Sequence, residues 1–280
     1  MRVFVTGAGG QVGRDVVAAM RDHDVVAADH AALDVRDRDA VLQAITTSVP
    51  DAIVHLGAWT AVDACEADPD RAFLVNSLGT RHVADGARRV GARVCYLSTD
   101  YVFDGTKSDP YVEWDPPHPL SVYGRSKHGG ECEVDPGSTI VRTSWVCGHH
   151  GQNMVKTILR LAADPRPLAF VDDQRGHPTF AGDLASMIAR LVADRRPGLF
   201  HVTNQGVVSW YEFARAVFEA AGLDASLVQP ISTADLDPPR PAPRPANSVL
   251  DNAALRLSGL PLLPYYRDSL EPLVADLIRA

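Results

Sequence analysis

Residues 121–131 read SVYGRSKHGGE and set Tyr123 and Lys127 four positions apart. On a helix that spacing places both side chains on one face. A phenol held beside an ammonium is easier to deprotonate, so the pair can move a proton near neutral pH. Any surface helix can carry a tyrosine and a lysine at this spacing, so the chemistry needs support elsewhere in the chain. Part of that support is Thr99, which closes the apolar run ARVCYLST (92–99) and is followed by Asp100. A hydroxyl at the carboxyl end of a strand is well placed to hydrogen-bond a substrate oxygen, although it can equally serve as a cap.

The chain begins with an apolar run that enters Gly7-Ala8-Gly9-Gly10-Gln11-Val12-Gly13. Gly7, Gly10 and Gly13 form a GxxGxxG turn between a strand and a helix, which is the context a dinucleotide fingerprint requires. Glycines let backbone amides approach a pyrophosphate, which then sits at the positive end of the helix. Asp29 lies 16 residues beyond Gly13, where an acid can bond the adenosine ribose hydroxyls. No arginine adjoins it, and an acid there ordinarily disfavours a 2′-phosphate. Asp34-Val35 is placed to frame the adenine ring, with helix capping by Asp34 an equally good reading.

The elements that must position these groups alternate. Strands are predicted at 2–7, 24–29, 51–58, 92–99 and 138–146, with helices at 11–22, before Pro50, at 67–91 and around Tyr123. Apolar strands alternating with helices imply a parallel sheet covered on both faces, hence an α/β, Rossmann-type doubly wound domain over residues 1–147. Residues 148–280 are expected to form a smaller, mixed substrate-binding part. Strands near 168–173 and 198–204 are expected to return to the first sheet, and helices are predicted at 153–163 and 209–222. DLDPPRPAPRP (235–245) reads as an extended loop.

Composition narrows the partners. A net charge of −8 with dispersed acids argues against nucleic acid or an anionic membrane surface. No stretch reaches the ~20 apolar residues of a membrane span, and the chain reads as cytoplasmic. Cys65, Cys95, Cys132 and Cys147 form no CxxC pair and read as free thiols, mostly in the core, and no metal site is expected from them or from the histidines.

Taken together, these residues resemble the short-chain dehydrogenase/reductase superfamily in its extended, sugar-nucleotide branch, and within it the dTDP-4-dehydrorhamnose reductases. The resemblance spans nearly the whole chain through VTGAGGQVG, WTAVDACEADPDRAFLVN, LSTDYVFDG, PLSVYGRSKHGGE, VRTSWV, FVDDQRGHPTFAGDLA, SWYEFA and RPANSVLD. It implies that Thr99, Tyr123 and Lys127 are catalytic. A reduced nicotinamide would reduce C4 of a dTDP-linked 4-keto-6-deoxyhexose. Tyr123 would protonate the oxygen, Thr99 would hold it, and Lys127 would bond the nicotinamide ribose and lower the Tyr123 pKa.

The same resemblance places Gly7, Gly10, Gln11, Val12, Gly13, Asp29, Asp34, Val35, Gly57, Ala58, Trp59, Asn76, Tyr123 and Lys127 at the cofactor. It places Thr99, Asp100, Val102, Phe103, Trp145, Asn153, Lys156 and Arg244 at the nucleotide sugar. Arg244 lies in the proline-rich loop, which would close over the diphosphate. For Trp59 a core position, and for Asn76 a buried amide satisfied by backbone, are the structural alternatives.

His55-Leu56 departs from the usual Asn-Ala, and Cys147 stands where an aromatic is common beside the sugar. NADPH is the expected cofactor, with NADH also accepted by the family. Some relatives dimerise through magnesium held by acids. Asp15 falls in that region without a full ligand set, so no metal is expected, and either a monomer or a homodimer fits. Two other readings stand beside dTDP-L-rhamnose formation. One is 4-keto reduction of another dTDP sugar. The other is a non-catalytic regulatory subunit on the same fold, which would predict an eroded triad or glycine turn.

Overall fold

The computed structural model describes residues 1–164 and 166–279. Its strands are β1 (Arg2–Thr6), β2 (Asp24–Ala28), β3 (Ala52–His55), β4 (Arg93–Thr99), β5 (Thr139–Thr143), β6 (Val146–Cys147), β7 (Leu168–Val171), β8 (Arg175–Gly176), β9 (Thr179–Phe180), β10 (Gly198–His201), β11 (Val208–Ser209) and β12 (Val228–Ile231). Among the described residues the central sheet has six strands, ordered β10-β5-β4-β3-β1-β2, and every pairing in it is parallel. The strand order reverses at β1, so the crevice for a ligand opens at the carboxyl ends of β1 and β3.

Helices cover both faces, which is why the strands read as continuous apolar runs. On one face α1 (Gln11–Ala19) packs against a later helix, Ala181–Ala193, over Val12, Val16, Leu184, Ile188 and Leu191. On the other face α2 (Arg38–Ser48) and the helix Gly79–Val90 enclose Val41, Ile45, Val83 and Ala87. Asp37 caps α2, its Oδ1 accepting the Ala40 N–H at 3.0 Å. Capping therefore falls to Asp37 and not to Asp34.

The long helix predicted over 67–91 is divided. α3 (Val62–Ala67) precedes α4 (Pro69–Phe73), a wider π turn spans Leu74–Leu78, and α5 (Gly79–Val90) follows. The π turn carries Asn76 toward the site, a common placement for such turns. α6 (Val122–Glu131) bears Tyr123 and Lys127.

Beyond β5 come α7 (Met154–Leu161), α8 (Ala181–Ala193), α9 (Trp210–Ala220), α10 (Ala253–Leu257) and α11 (Tyr266–Arg279). β10 joins the central sheet beside β5, whereas β7, expected there too, pairs with β12 in a separate two-stranded sheet. A four-residue apolar strand does not encode its partner. Here β7 packs on α9 within a second core that includes Ile158, Phe213, Val217, Phe218 and Leu270. Cys147 is buried in that core, 1% exposed, instead of bordering a ligand cavity. All four cysteines are free thiols and only Cys132 is exposed. No described helix is long and apolar enough to cross a membrane.

Candidate active site

The glycine turn is shaped by close approach. Gly7 has φ +66°, and a Cβ there would lie 2.9 Å from the Gly57 nitrogen. A Cβ on Gly13 would lie 2.2 Å from the Gly7 carbonyl oxygen and 2.8 Å from Ala8. Gly10 begins α1 without a side-chain cap, so the first N–H groups are left to a ligand. This cradle fits a dinucleotide pyrophosphate. Gly13→Ala should destabilise the fold by about 1–3 kcal/mol and weaken dinucleotide binding at least ~10-fold, because backbone must shift to admit the methyl. Fluorescence titration with NADPH checks this, and wild-type affinity would contradict it.

Two cavities meet at that turn. The first, about 680 Å³, is lined by Gly7, Gly9, Gly10, Asp29, Asp34, Val35, Gly57, Ala58 and Trp59, together with His30, Arg36 and Arg71. Asp29 Oδ1 accepts the Ala32 N–H at 2.9 Å, while both carboxylate oxygens of Asp34 take the Arg36 guanidinium. That pairing holds the Asp34 carboxyl at about 2. The Arg71 guanidinium lies 4.4 Å from the Trp59 ring centroid. Sequence reading missed Arg36 and Arg71, whose basic side chains face a cavity with two acids.

The second cavity, about 390 Å³, brings together Gln11, Val12 and Gly13 with Thr99, Asp100, Tyr123, Lys127 and Trp145. It is also lined by Ser98, Thr143 and Gln152. Ser98 Oγ, Asp100 Oδ2 and Thr143 Oγ1 are buried without hydrogen-bond partners among the described residues. Unmet buried polar atoms are costly, and these three belong to residues in the wall of one cavity. Trp145 adopts φ +46°, ending the predicted strand early, and stacks on Trp210 with centroids 3.6 Å apart.

α6 is fixed at its start by two groups. Ser121 Oγ accepts the Gly124 N–H at 3.1 Å, and Glu66 Oε1 accepts the Val122 N–H at 2.7 Å. Tyr123 is buried, which raises its phenol above the ordinary value, while the Thr99 hydroxyl acts in the opposite direction and Asp100 adds to the rise. Lys127 is pushed down to about 7 by burial, partly offset by Glu131. Its Nζ donates to the Leu97 carbonyl at 2.7 Å and sits 4.1 Å from the Tyr96 ring centroid. The expectation that Lys127 lowers the Tyr123 pKa is therefore corrected: burial dominates, and the ammonium is aimed elsewhere. A phenol that stays protonated is well suited to give a proton.

Several groups act behind the cavity. Glu131 follows Lys127 by one helical turn and takes Arg142 through two bonds of 2.8 and 2.7 Å. Both side chains are buried. Burial would raise the Glu131 carboxyl, but Arg142 and His128 hold it at about 2. Asn76 is fully buried, bonding the Trp59 backbone at 2.8 and 3.1 Å and Ser126 Oγ at 2.9 Å. It ties the Trp59 loop to α6 and is not among the residues lining the two cavities. His55, held neutral with its pKa at about 3 by burial, bonds Thr6 Oγ1 at 2.7 Å and Thr80 Oγ1 at 3.2 Å.

Four residues expected at the substrate lie outside the lining of these cavities. Val102 and Phe103 are fully buried with Tyr111 and Leu250, and Phe103 stacks on Tyr111 at 4.1 Å. Their side chains shape the core. Asn153 caps α7 and donates to Gln11 Oε1 at 2.9 Å and the Gly148 carbonyl at 2.8 Å. Lys156 Nζ donates to the carbonyls of His149 and Gly151 at 2.7 and 2.9 Å. Neither lines these cavities.

Arg244 does line a third cavity of about 380 Å³, with Arg240, Tyr101, Phe170, Gln174 and Trp210. Its guanidinium bonds both carboxylate oxygens of Asp63 at 2.6 and 2.8 Å, and the Ala242 N–H adds a third bond at 3.1 Å. The proline-rich loop is thereby docked on α3. The Trp145–Trp210 stack links this cavity to the one holding Tyr123.

The family model described as the RmlD substrate binding domain matches residues 1–279. A dTDP-4-dehydrorhamnose reductase of Aggregatibacter actinomycetemcomitans is 41% identical, covering 89% of this chain and 90% of its own. A probable dTDP-4,6-dihydroxy-2-methyloxan-3-one 4-ketoreductase of Streptomyces antibioticus is 40% identical, over 100% of this chain and 97% of its own. The crystal structure of dTDP-4-dehydrorhamnose reductase from Bacillus anthracis in complex with NADP superposes with a TM-score of 0.93 at 37% identity, covering 98% of this chain and 99% of that one. With that match over nearly its whole length, the chain belongs to the RmlD substrate binding domain family.

Proposed function

We propose that the protein is a nicotinamide-dependent reductase that converts the 4-keto group of dTDP-4-dehydro-β-L-rhamnose to the alcohol, giving dTDP-L-rhamnose. The observation that carries this reading is the 390 Å³ cavity in which Thr99, Tyr123 and Lys127 meet beside Gly10 and Gly13. Reduced NADPH, when bound, supplies the hydride. Gly7, Gly10 and Gly13 cradle the pyrophosphate, and Val35, Asp34 and Trp59 enclose the adenosine end. Arg71 and His30 line the same cavity and favour NADPH by answering a 2′-phosphate, while Arg36 is held by Asp34.

Tyr123 gives its proton to the carbonyl oxygen as negative charge develops there, and Thr99 holds that oxygen in line. Lys127 stands one helical turn from Tyr123 in the same cavity. Trp145 and Asp100 border the sugar, while Arg244 and Arg240 meet the diphosphate from the proline-rich loop. Arg244→Ala should raise KM for the nucleotide sugar by about 10- to 100-fold with kcat nearly unchanged. Its stability cost should be about 1–3 kcal/mol, because Arg244 is only 10% exposed and its bidentate pair with Asp63 docks the proline-rich loop. Steady-state kinetics and a melt check both parts.

A second reading has a specific basis, since a relative named as a 4-ketoreductase on a different dTDP-linked sugar is as similar as the rhamnose enzymes. Product analysis decides between them. Each 4-keto sugar is offered separately with NADPH, and NMR identifies the hexose formed. Dominant formation of the rhamno product supports the first reading, and preference for another epimer replaces it with the second.

A further inference from the structure

Trp145 stands in a conformation that its own chemistry disfavours. Its φ of +46° lies in the left-handed region, which a bulky residue rarely occupies, at the break between β5 and β6. Such an outlier is costly and persists only where its surroundings enforce it. Here one short segment does so. The Trp145 carbonyl accepts the Thr179 N–H at 3.3 Å, and the Ser144 hydroxyl donates to the His177 carbonyl at 2.7 Å. Gly176 abuts the indole: a Cβ there would come within 2.8 Å of Trp145 Cε2 and 2.9 Å of Cζ2. Gly176 itself has no positive φ, so the indole, and not the local backbone, requires glycine at this place.

The indole also stacks on Trp210, with ring planes only 11° from parallel. Trp210 is the first residue of α9, where Ser209 and Glu212 cap the helix reciprocally and the Ser209 hydroxyl donates to Asp172 Oδ1 at 2.6 Å. Phe213, fully buried in the second core, meets the Trp210 ring edge-on with centroids 6.3 Å apart. The β8–β11 ladder sets Gly176 opposite Val208 and Arg175 opposite Ser209, so one register fixes both neighbours of the indole. Trp145 lines the cavity with Tyr123, and Trp210 lines the one with Arg244. Gly176 is among the lining residues of neither.

We propose that Gly176 and Trp210 are positioning residues for the reduction, holding the Trp145 indole as the wall against which the hexose is set beside Tyr123. The inference rests on the reductase reading above. An indole fixed from the backbone outward leaves little to order when the sugar arrives, which is what the strain at Trp145 secures. A wall displaced by about 1 Å would carry the keto carbon out of line with its proton donor, an error that can cost ~10²-fold in rate. The nucleotide end, held from the proline-rich loop, would bind as before.

Two stacked indoles give an exciton couplet in far-ultraviolet circular dichroism, which reads the geometry without turnover. The full-length wild type should show it, and Gly176→Ala should weaken it. In kinetics with NADPH and the nucleotide sugar, Gly176→Ala should lose kcat by ~10²-fold, while calorimetry finds the Kd for dTDP alone within about twofold of wild type. Trp210→Ala should lose kcat by at least ~10-fold, and Trp210→Phe, which keeps a stacked ring, should recover most of it. The Trp210 pair serves if Gly176→Ala does not fold. An unchanged couplet or unchanged kcat in Gly176→Ala, a Trp210→Phe as slow as Trp210→Ala, or a loss of dTDP affinity as large as the loss of kcat would overturn the proposal. Failure of the wild type to reduce any dTDP-linked 4-keto sugar overturns the reductase reading and this inference with it. Turnover by the wild type with an unaffected Gly176→Ala overturns this inference alone.

Discussion

Tyr123→Phe is expected to lower kcat by ~10²–10⁴-fold while KM for the nucleotide sugar and NADPH affinity stay within about twofold. The ring stays, so the edge-on packing against Tyr101, with centroids 5.9 Å apart, is kept and the fold should not suffer. What disappears is the single acidic hydrogen aimed at the developing oxyanion. Because burial keeps that phenol protonated, the wild-type rate should not fall at high pH through loss of the Tyr123 proton itself. A decline as pH rises through about 7 instead follows Lys127, whose ammonium is lost above its lowered value. Steady-state kinetics across pH for both proteins measures this. A mutant within tenfold of wild type would mean that another group donates the proton.

Glu131→Gln should cost about 3–5 kcal/mol of stability, a large share of a typical domain's total. The amide preserves shape but leaves the Arg142 guanidinium, 3% exposed, as a buried charge without its counter-ion. The wild-type carboxyl is held at about 2 against an ordinary 4.5. Its contribution is therefore fully present above about 4.5 and is lost as pH falls toward about 2. The variant should lack that part of the acid sensitivity. It also removes the charge that supports the Lys127 ammonium, so its activity should decline at a lower pH than that of the wild type. Urea unfolding at neutral and acid pH reads the first effect. A loss below 1 kcal/mol would show that the pair is not the fastening the geometry implies.

What was legible in the sequence follows from locality. The glycine turn, Tyr123 with Lys127, and Thr99 at a strand end each depend on a few neighbouring residues and an ordinary element, and all line the two adjoining cavities. Glu131 carried a signal too, lying four residues after Lys127 on the same helix. Its partner Arg142 did not, because only the β4–β5 register, with Ser98 opposite Arg142, brings that strand beside α6. Val102 and Phe103 sit within a motif whose first residues line the cavity, yet their side chains turn into the core. Asn153 and Lys156 are spent on capping and on carbonyls of their own loop, a competition that spacing does not reveal. The partner of β7 is likewise set by packing against α9.

The most direct measurement is the loss of reduced-nicotinamide absorbance when wild-type protein meets NADPH and dTDP-4-dehydro-L-rhamnose generated in situ. Wild type should oxidise NADPH in step with sugar reduction, and Tyr123→Phe should bind the cofactor but scarcely turn over. Wild type that binds NADPH yet reduces none of the dTDP-linked 4-keto sugars would contradict the account.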